Sequence, residues 1–191
     1  MDKVFPHRKR VKHYDEPGHA HLLTFSCFHQ MPLLTNNLWR KWLSEAIDIA
    51  VDAQRFHLVA FVYMPEHVHV LVWPTEEEYH TGKLLWSIKR PFSSRIKGGL
   101  QEQRSPLLGK LTVRERPGKS AFRFWQEGGG HDRNLVELDG LATVAEYIHN
   151  NPVRRGLVET PDKWKWSSGG HSHRPDEPAD PDLPRVHGFP G

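Results

Sequence analysis

Cysteine is almost absent from this sequence: Cys27 is the only one in 191 residues. One thiol builds neither a disulfide framework nor a thiolate zinc site, which points to a reducing compartment, the cytoplasm. Long apolar runs are also missing. None approaches the roughly 18 residues that a bilayer-spanning helix needs, so no membrane role is expected. The Lys/Arg-containing start lacks the apolar stretch of a signal peptide. There is no internal repeat and no visible nucleotide-binding loop. The overall excess of positive charge is small, 26 Lys and Arg against 23 Asp and Glu, a formal +3. The length suits one ordinary domain with tails and falls short of a full (β/α) barrel.

What is present is unevenly placed. From Lys83 to Arg123, eleven Lys and Arg stand against only Glu102 and Glu115, a net +9, so the rest of the chain carries −6. Trp86, Phe92, Phe122, Phe124 and Trp125 are interleaved with these charges. Some of these rings must be core. Even so, the mixture suits phosphate contacts combined with base stacking better than an ordinary solvated face, whose charges mix in sign. Lys83, Lys89, Arg90, Arg95, Lys97 and Arg123, with Arg133 and Arg154 further along, are candidate nucleic-acid contacts.

Composition divides the chain into a basic arm at residues 1–19, a globular part at 20–168 and a Pro-rich acidic tail at 169–191. The tail holds too little apolar surface to order itself, so it is expected to be disordered or to wrap, lying over the basic face. Inside the globular part the periodicities alternate. His21–Phe28 reads as a strand. Leu38, Trp42, Ala46, Ile49, Ala50 and Ala53 give a helix, with Thr35, Asn36 and Asn37 as N-caps. Phe56–Met64 and His67–Trp73, joined by Pro65-Glu66, predict an antiparallel hairpin. A second helix covers Lys83–Ile96, with Pro91 kinking or breaking it. Ala121–Gln126 reads as a further strand, and a third helix runs from about Asp139 to about Asn150. The order β-α-β-β-α-β-α predicts an α+β fold, an antiparallel sheet with helices packed on one face.

Two constellations carry chemistry. In a strand, side chains alternate, so His67 and His69 share a face while Val68, Val70 and Val72 point the other way. The two imidazoles are spaced to grip one metal ion; the alternative is a pair of half-exposed strand histidines. On the third helix Tyr147 and Asn151 lie one turn apart on one face. Tyr147 reads either as a functional residue or as an amphipathic core-edge residue. Asn151, ahead of Pro152, is a ligand or the cap of a following turn.

Taken together, these segments resemble the REP-associated tyrosine transposases, single-tyrosine transposases of the insertion-sequence-200-like superfamily. Met64-Pro65-Glu66-His67-Val68-His69-Val70-Leu71-Val72 looks like their His-hydrophobic-His (HUH) motif, and Ser87-Ile88-Lys89-Arg90-Pro91-Phe92-Ser93 their second-helix segment. Phe124-Trp125-Gln126-Glu127-Gly128-Gly129-Gly130, followed by His131-Asp132-Arg133-Asn134, is similar to their glycine-rich strand end. Tyr147-Ile148-His149-Asn150-Asn151-Pro152-Val153-Arg154-Arg155-Gly156-Leu157-Val158 resembles the catalytic-tyrosine stretch, and Trp164-Lys165-Trp166-Ser167-Ser168 a tail signature. The likeness runs from about Gly18 to Ser168.

The resemblance implies a ferredoxin-like fold with the histidines on a central strand and the tyrosine helix opposite. It implies cleavage of single-stranded DNA near palindromic hairpins, with His67, His69 and Asn151 as metal ligands and Tyr147 as nucleophile. Insertion-sequence relatives carry glutamine where this chain has Asn151, and tyrosine is common where it has His131, to which no role is assigned. Imidazole and amide-oxygen ligands suit Mg2+ or Mn2+. The reaction would pass through a 5′-phosphotyrosine, in a monomer or a homodimer. Two rivals are a non-catalytic hairpin-binding protein and a metal hydrolase whose nucleophile is water.

Overall fold

The computed structural model describes residues 15–128, 130–135, 138–173, 178 and 180–188. Most of the expected N-terminal arm, residues 1–14, and part of the tail lie outside the described residues. The order along the chain is β1 (Ala20–Ser26), α1 (Asn37–Ala53), β2 (Phe56–Tyr63), β3 (His67–Pro74), α2 (Thr81–Glu102), a four-residue helical turn α3 (Leu107–Lys110), β4 (Thr112–Arg116), β5 (Lys119–Phe122), β6 (His131–Leu135) and α4 (Leu138–Arg154). A short helix α5 (Gly169–His173) follows. No described helix is long and apolar enough to cross a membrane.

β2, β3, β1 and β6, in that order, make a four-stranded antiparallel sheet. Without the small β4–β5 hairpin the path is β-α-β-β-α-β with the first and third strands at the centre, the ferredoxin-like arrangement. The sheet is covered on both faces. Leu23, Phe25, Val68, Val70 and Val72 pack with Leu43 and Ile47 of α1 and with Leu84, Ile88, Phe92 and Ile96 of α2. Leu22, Ala60, Val62 and Leu71 pack with Leu141, Val144, Ala145 and Ile148 of α4. The expectation of helices on one face thus holds for α1 and α2, while α4 takes the other. Strands covered on both sides read as nearly continuous apolar runs, and β2 (FHLVAFVY) does.

Asn36 caps α1, its side chain accepting from the Trp39 N–H. Pro91 neither breaks nor divides α2, which is continuous across it. The ring removes one helical hydrogen bond, but buried side chains before and after it, Ile88 and Phe92, hold both halves against the core. The expected strand at Ala121–Gln126 is also revised. Its first two residues end β5, whereas Phe124 and Trp125 leave the hairpin and turn into the core. The place beside β1 is taken by β6, a polar edge strand (HDRNL) with no apolar run to signal it. β4 and β5 meet at Pro117-Gly118, where Gly118 supplies a φ of +75°.

The outer edge of β2 is closed by the C-terminal part of the chain. Tyr63 N–H donates to the Trp166 carbonyl, Ser168 N–H to the Phe61 carbonyl, and His187 N–H to the Leu58 carbonyl. Arg185 pairs with Asp52, Lys41 with Asp182, and the His57 and His187 rings stack at 4.4 Å. Where the tail is described it therefore wraps, on α1 and β2 rather than over the basic segment, through ion pairs that its acidic residues make with Lys41 and Lys165. Arg40, buried, lies over Trp164 and Trp166, and burial lowers its guanidinium to about 10. Cys27 is free and buried, and burial pushes its thiol up to about 12, which leaves it unreactive.

One backbone approach is tight. Gly130 (φ +79°) enters β6 so close to β1 that a Cβ there would run into the Thr24 carbonyl oxygen, whereas at Gly128 (φ +105°) a Cβ meets open space. Gly128→Ala is expected to cost backbone strain alone, about 1–3 kcal/mol. Gly130→Ala should cost clearly more, because the β1–β6 seam must also open. Urea unfolding of the two variants checks the order; equal losses would refute the close-packing account.

Candidate active site

The β1–β3 register places Thr24 opposite His69 and Ser26 opposite His67. Cross-strand partners stand side by side on one face, and the hydrogen bonds follow from that. Thr24 Oγ1 lies 2.7 Å from His69 Nδ1. On the other imidazole, His67 Nδ1–H donates to Glu66 Oε1 at 3.0 Å, and the same oxygen accepts from Arg155 at 2.8 Å. Each ring is therefore held through Nδ1. The two Nε2 atoms face each other, 3.1 Å apart.

Donation from His67 Nδ1 fixes its tautomer, with the lone pair on Nε2, as a metal-binding histidine requires. Burial lowers the affinity of both rings for a second proton. For His67 this is partly countered by Glu66. For His69, burial first and then the neighbouring His67 and His131 bring the value down to about 4. Burial also pushes the Glu66 carboxyl up, but the Arg155 hydrogen bond and His67 outweigh it and hold it below the usual range. Neutral rings and an ionised Glu66 are thus the state at neutral pH.

This donor set fits a divalent cation. Two nitrogens at right angles on a cation with bonds of about 2.1 Å stand about 3.0 Å apart. No group of three or more His, Cys, Asp and Glu gathers around a metal position among the described residues, so a cation here needs a ligand of another type. Asn151, half-buried on α4, donates its amide Nδ2–H to the Tyr147 carbonyl at 3.0 Å, which leaves Oδ1 as its ligating atom. No hydrogen bond joins Asn151 to either histidine among the described residues.

α4 carries Tyr147 over the same spot. Its ring centroid is 6.0 Å from that of His69, and the residue is 42% exposed. The Arg154 guanidinium lies 5.2 Å from the Tyr147 ring centroid. The alternation Leu141, Val144, Ala145, Ile148 seats α4 on the sheet and turns Tyr147 to the edge of that stripe.

The eight basic candidates do not form one surface. Lys89, Arg90 and Arg123 line a cleft between α2 and the segment after β5. Arg133, exposed on β6, is paired in register with Leu22 and so shares the histidine face, as Arg154 shares its neighbourhood. Lys83 and Lys97 are exposed on α2. Arg95 stacks on Trp42 and pairs with Glu45, and Arg123 pairs with Glu115 and Glu127, so neither is an unpaired cation. Sequence reasoning missed Thr24, Glu66 and Arg155. Glu66 adjoins His67 in its motif and Arg155 lies in the tyrosine stretch, but Thr24 and Arg155 become partners only through the register and the α4 placement. His131, paired with Thr24, stands one strand beyond it on the histidine face.

Because His69 binds its proton more weakly folded than unfolded, the unfolded chain holds more protons between about pH 4 and 6.5, and stability falls as pH drops through that window. From pH 7 to pH 5 the loss from this ring should be about 2 kcal/mol. Urea denaturation at the two pH values should show a smaller loss for His69→Gln than for the parent chain. An equal loss would mean the ring is not held neutral.

No protein-family model matches the chain. A Haemophilus influenzae protein provisionally named as a REP-associated tyrosine transposase is 29% identical over 114 residues, 59% of this chain. The chain spans about 58% of that relative's length. A solved structure of a REP-associated tyrosine transposase bound to a REP hairpin superimposes with a TM-score of 0.67 at 20% identity, over 89% of this chain and 88% of the other. In fold over most of its length, and in sequence over part of it, the chain is similar to the REP-associated tyrosine transposases.

Proposed function

We propose that this chain is itself a REP-associated tyrosine transposase, which cuts and rejoins single-stranded DNA beside palindromic hairpins through a covalent 5′-phosphotyrosine. The observation that supports it most is the meeting of three side chains from two distant segments: two ligand-competent imidazoles of β3 with Nε2 atoms 3.1 Å apart, and a half-exposed phenol of α4 6.0 Å from one of them. A non-catalytic binder has no use for that arrangement. The likeness to a structure that holds a hairpin supports hairpin DNA as the partner.

His67, His69 and Asn151 would hold Mg2+ or Mn2+, which when bound offsets negative charge growing on the scissile phosphate. The remaining steps belong to the chain. A phenol is a weak nucleophile until it gives up its proton, which passes to solvent as the oxygen attacks; Arg154 packs over the ring and holds it at the edge of α4. The Tyr147 oxygen attacks phosphorus, the bond from phosphorus to the 3′ oxygen breaks, and that oxygen leaves as a hydroxyl after taking a proton. The 5′ end stays on Tyr147. Attack by the 3′-hydroxyl of another strand reverses the exchange and releases the phenol, so rejoining needs no further energy source. Glu66, Thr24 and Arg155 hold the imidazoles in place throughout. The closeness of Tyr147 and His69 within one chain supports a reaction in cis, each chain cutting with its own tyrosine, in a monomer or a homodimer. The buried, unreactive thiol suits the cytoplasm.

Labelled hairpin DNA with a single-stranded flank, incubated with Mn2+ and run in SDS, should give a covalent adduct with the parent chain. Tyr147→Phe should give none, and His67→Ala should lose both activity and its metal dependence. Mixing these two variants should restore nothing, whereas exchange of tyrosines between subunits would restore cleavage. Undiminished cutting by Tyr147→Phe, without an adduct, would replace the mechanism with hydrolysis by water.

A further inference from the structure

Away from the histidines, α2 and the segment from Phe122 to Gly128 enclose a cleft of about 350 Å³ lined by Trp86, Lys89, Arg90, Phe122, Arg123 and Trp125, among others. Trp86 is 58% exposed, a large ring on a helix surface with the Arg90 guanidinium 4.7 Å from its centroid. Such a ring-and-cation pair presents a flat apolar face beside a positive charge.

The walls hold groups that lack partners. Trp125 is 93% buried, yet its indole Nε1–H has no hydrogen-bond acceptor among the described residues, and neither has Arg123 Nε–H. Lys89 lies over the Phe25 ring and donates only to the Gly128 carbonyl; it has no carboxylate partner among the described residues. Burial lowers its ammonium to about 8, so an anion nearby would stabilise the charge. An exposed aromatic face beside an unneutralised cation describes a nucleotide: a π-surface and one phosphate.

Position agrees. Gln126 N–H donates to the Ser26 carbonyl, and Ser26 is the register partner of His67. Neighbouring strands are about 4.8 Å apart, so the rim of the cleft lies two such steps from the proposed metal pair, on the opposite face of the sheet. A single strand that passes the end of β1 reaches the cleft within a few nucleotides.

We infer that this cleft seats one unpaired nucleotide of the strand being cut, its base on Trp86 and against the Trp125 wall, its phosphate on Lys89 and Arg90. The inference rests on the nuclease reading for the identity of the strand, and names the subsite that fixes where along the single-stranded flank cutting falls. The shared chemistry of the ligand is an unpaired nucleotide, of DNA or RNA.

The test uses the full chain and four probes: a hairpin with a single-stranded flank, the same hairpin without a flank, an unstructured DNA strand, and that strand as RNA. Base–aromatic stacking is worth about 5- to 150-fold in affinity. Trp86→Ala should lose that much for the flanked hairpin and the plain strand, nothing for the blunt hairpin, and Trp86→Phe should recover most of it. With 2-aminopurine placed in turn along the flank, quenching that depends on Trp86 should appear at one position. Equal loss on the blunt hairpin, or no loss on any probe, overturns the inference. Plain-strand binding that depends on Trp86 in a chain that forms no Tyr147 adduct would keep the subsite and sink the nuclease. RNA bound as well as DNA would keep the base seat and overturn its assignment to DNA.

Discussion

The pairing of β1 with β3 is the constraint on which the candidate site depends. Its register sets Thr24 against His69 and Ser26 against His67, and a slip of one residue would carry both imidazoles to the face packed by α1 and α2. Two things pin it. Val68, Val70 and Val72 are buried against those helices, and Gly130 lets β6 come close enough to hold β1 from the other side. The chemistry is therefore paid for by ordinary core packing. His67 and His69 stand where they do because the residues between and beyond them are apolar.

Given that register, the electrostatics follow. Facing Nε2 atoms 3.1 Å apart would repel if both rings were protonated, and burial prevents this. Arg155 keeps Glu66 ionised, and ionised Glu66 orients His67. The chain Arg155–Glu66–His67 thus links the end of α4 to β3, so the helix bearing Tyr147 and the strand bearing the two histidines are fixed to each other by charge as well as by the apolar stripe beneath them.

Much of this was legible in the sequence, for definite reasons. β3 was readable because strict alternation of His and Val has one structural meaning, and α4 because Leu141, Val144, Ala145 and Ile148 repeat at helical spacing. β6 was not, since an edge strand of polar residues makes no apolar signal and its role comes from hydrogen bonding to β1. The continuity of α2 through Pro91 was not legible either, because a local rule about one lost hydrogen bond takes no account of the burial of Ile88 and Phe92. The basic segment was visible as a charge excess, but ion pairs with Glu45, Glu115 and Glu127 withdraw two of its arginines, and two of those three carboxylates lie outside the segment counted. Thr24 and Arg155 belong to contacts across 45 and 89 residues of chain, which no local pattern encodes.

The closed edge of β2 also bears on how copies of this chain can meet. A sheet grows by offering unpaired N–H and C=O groups to a neighbour, and the C-terminal residues have already taken those of Leu58, Phe61 and Tyr63. The opposite margin, β6, is short and carries His131, Asp132 and Arg133, a poor template for a foreign strand. Joining two copies into one continuous sheet is therefore disfavoured at both ends, so a DNA strand bound as proposed would meet no sheet edge of a second copy competing for the same chain.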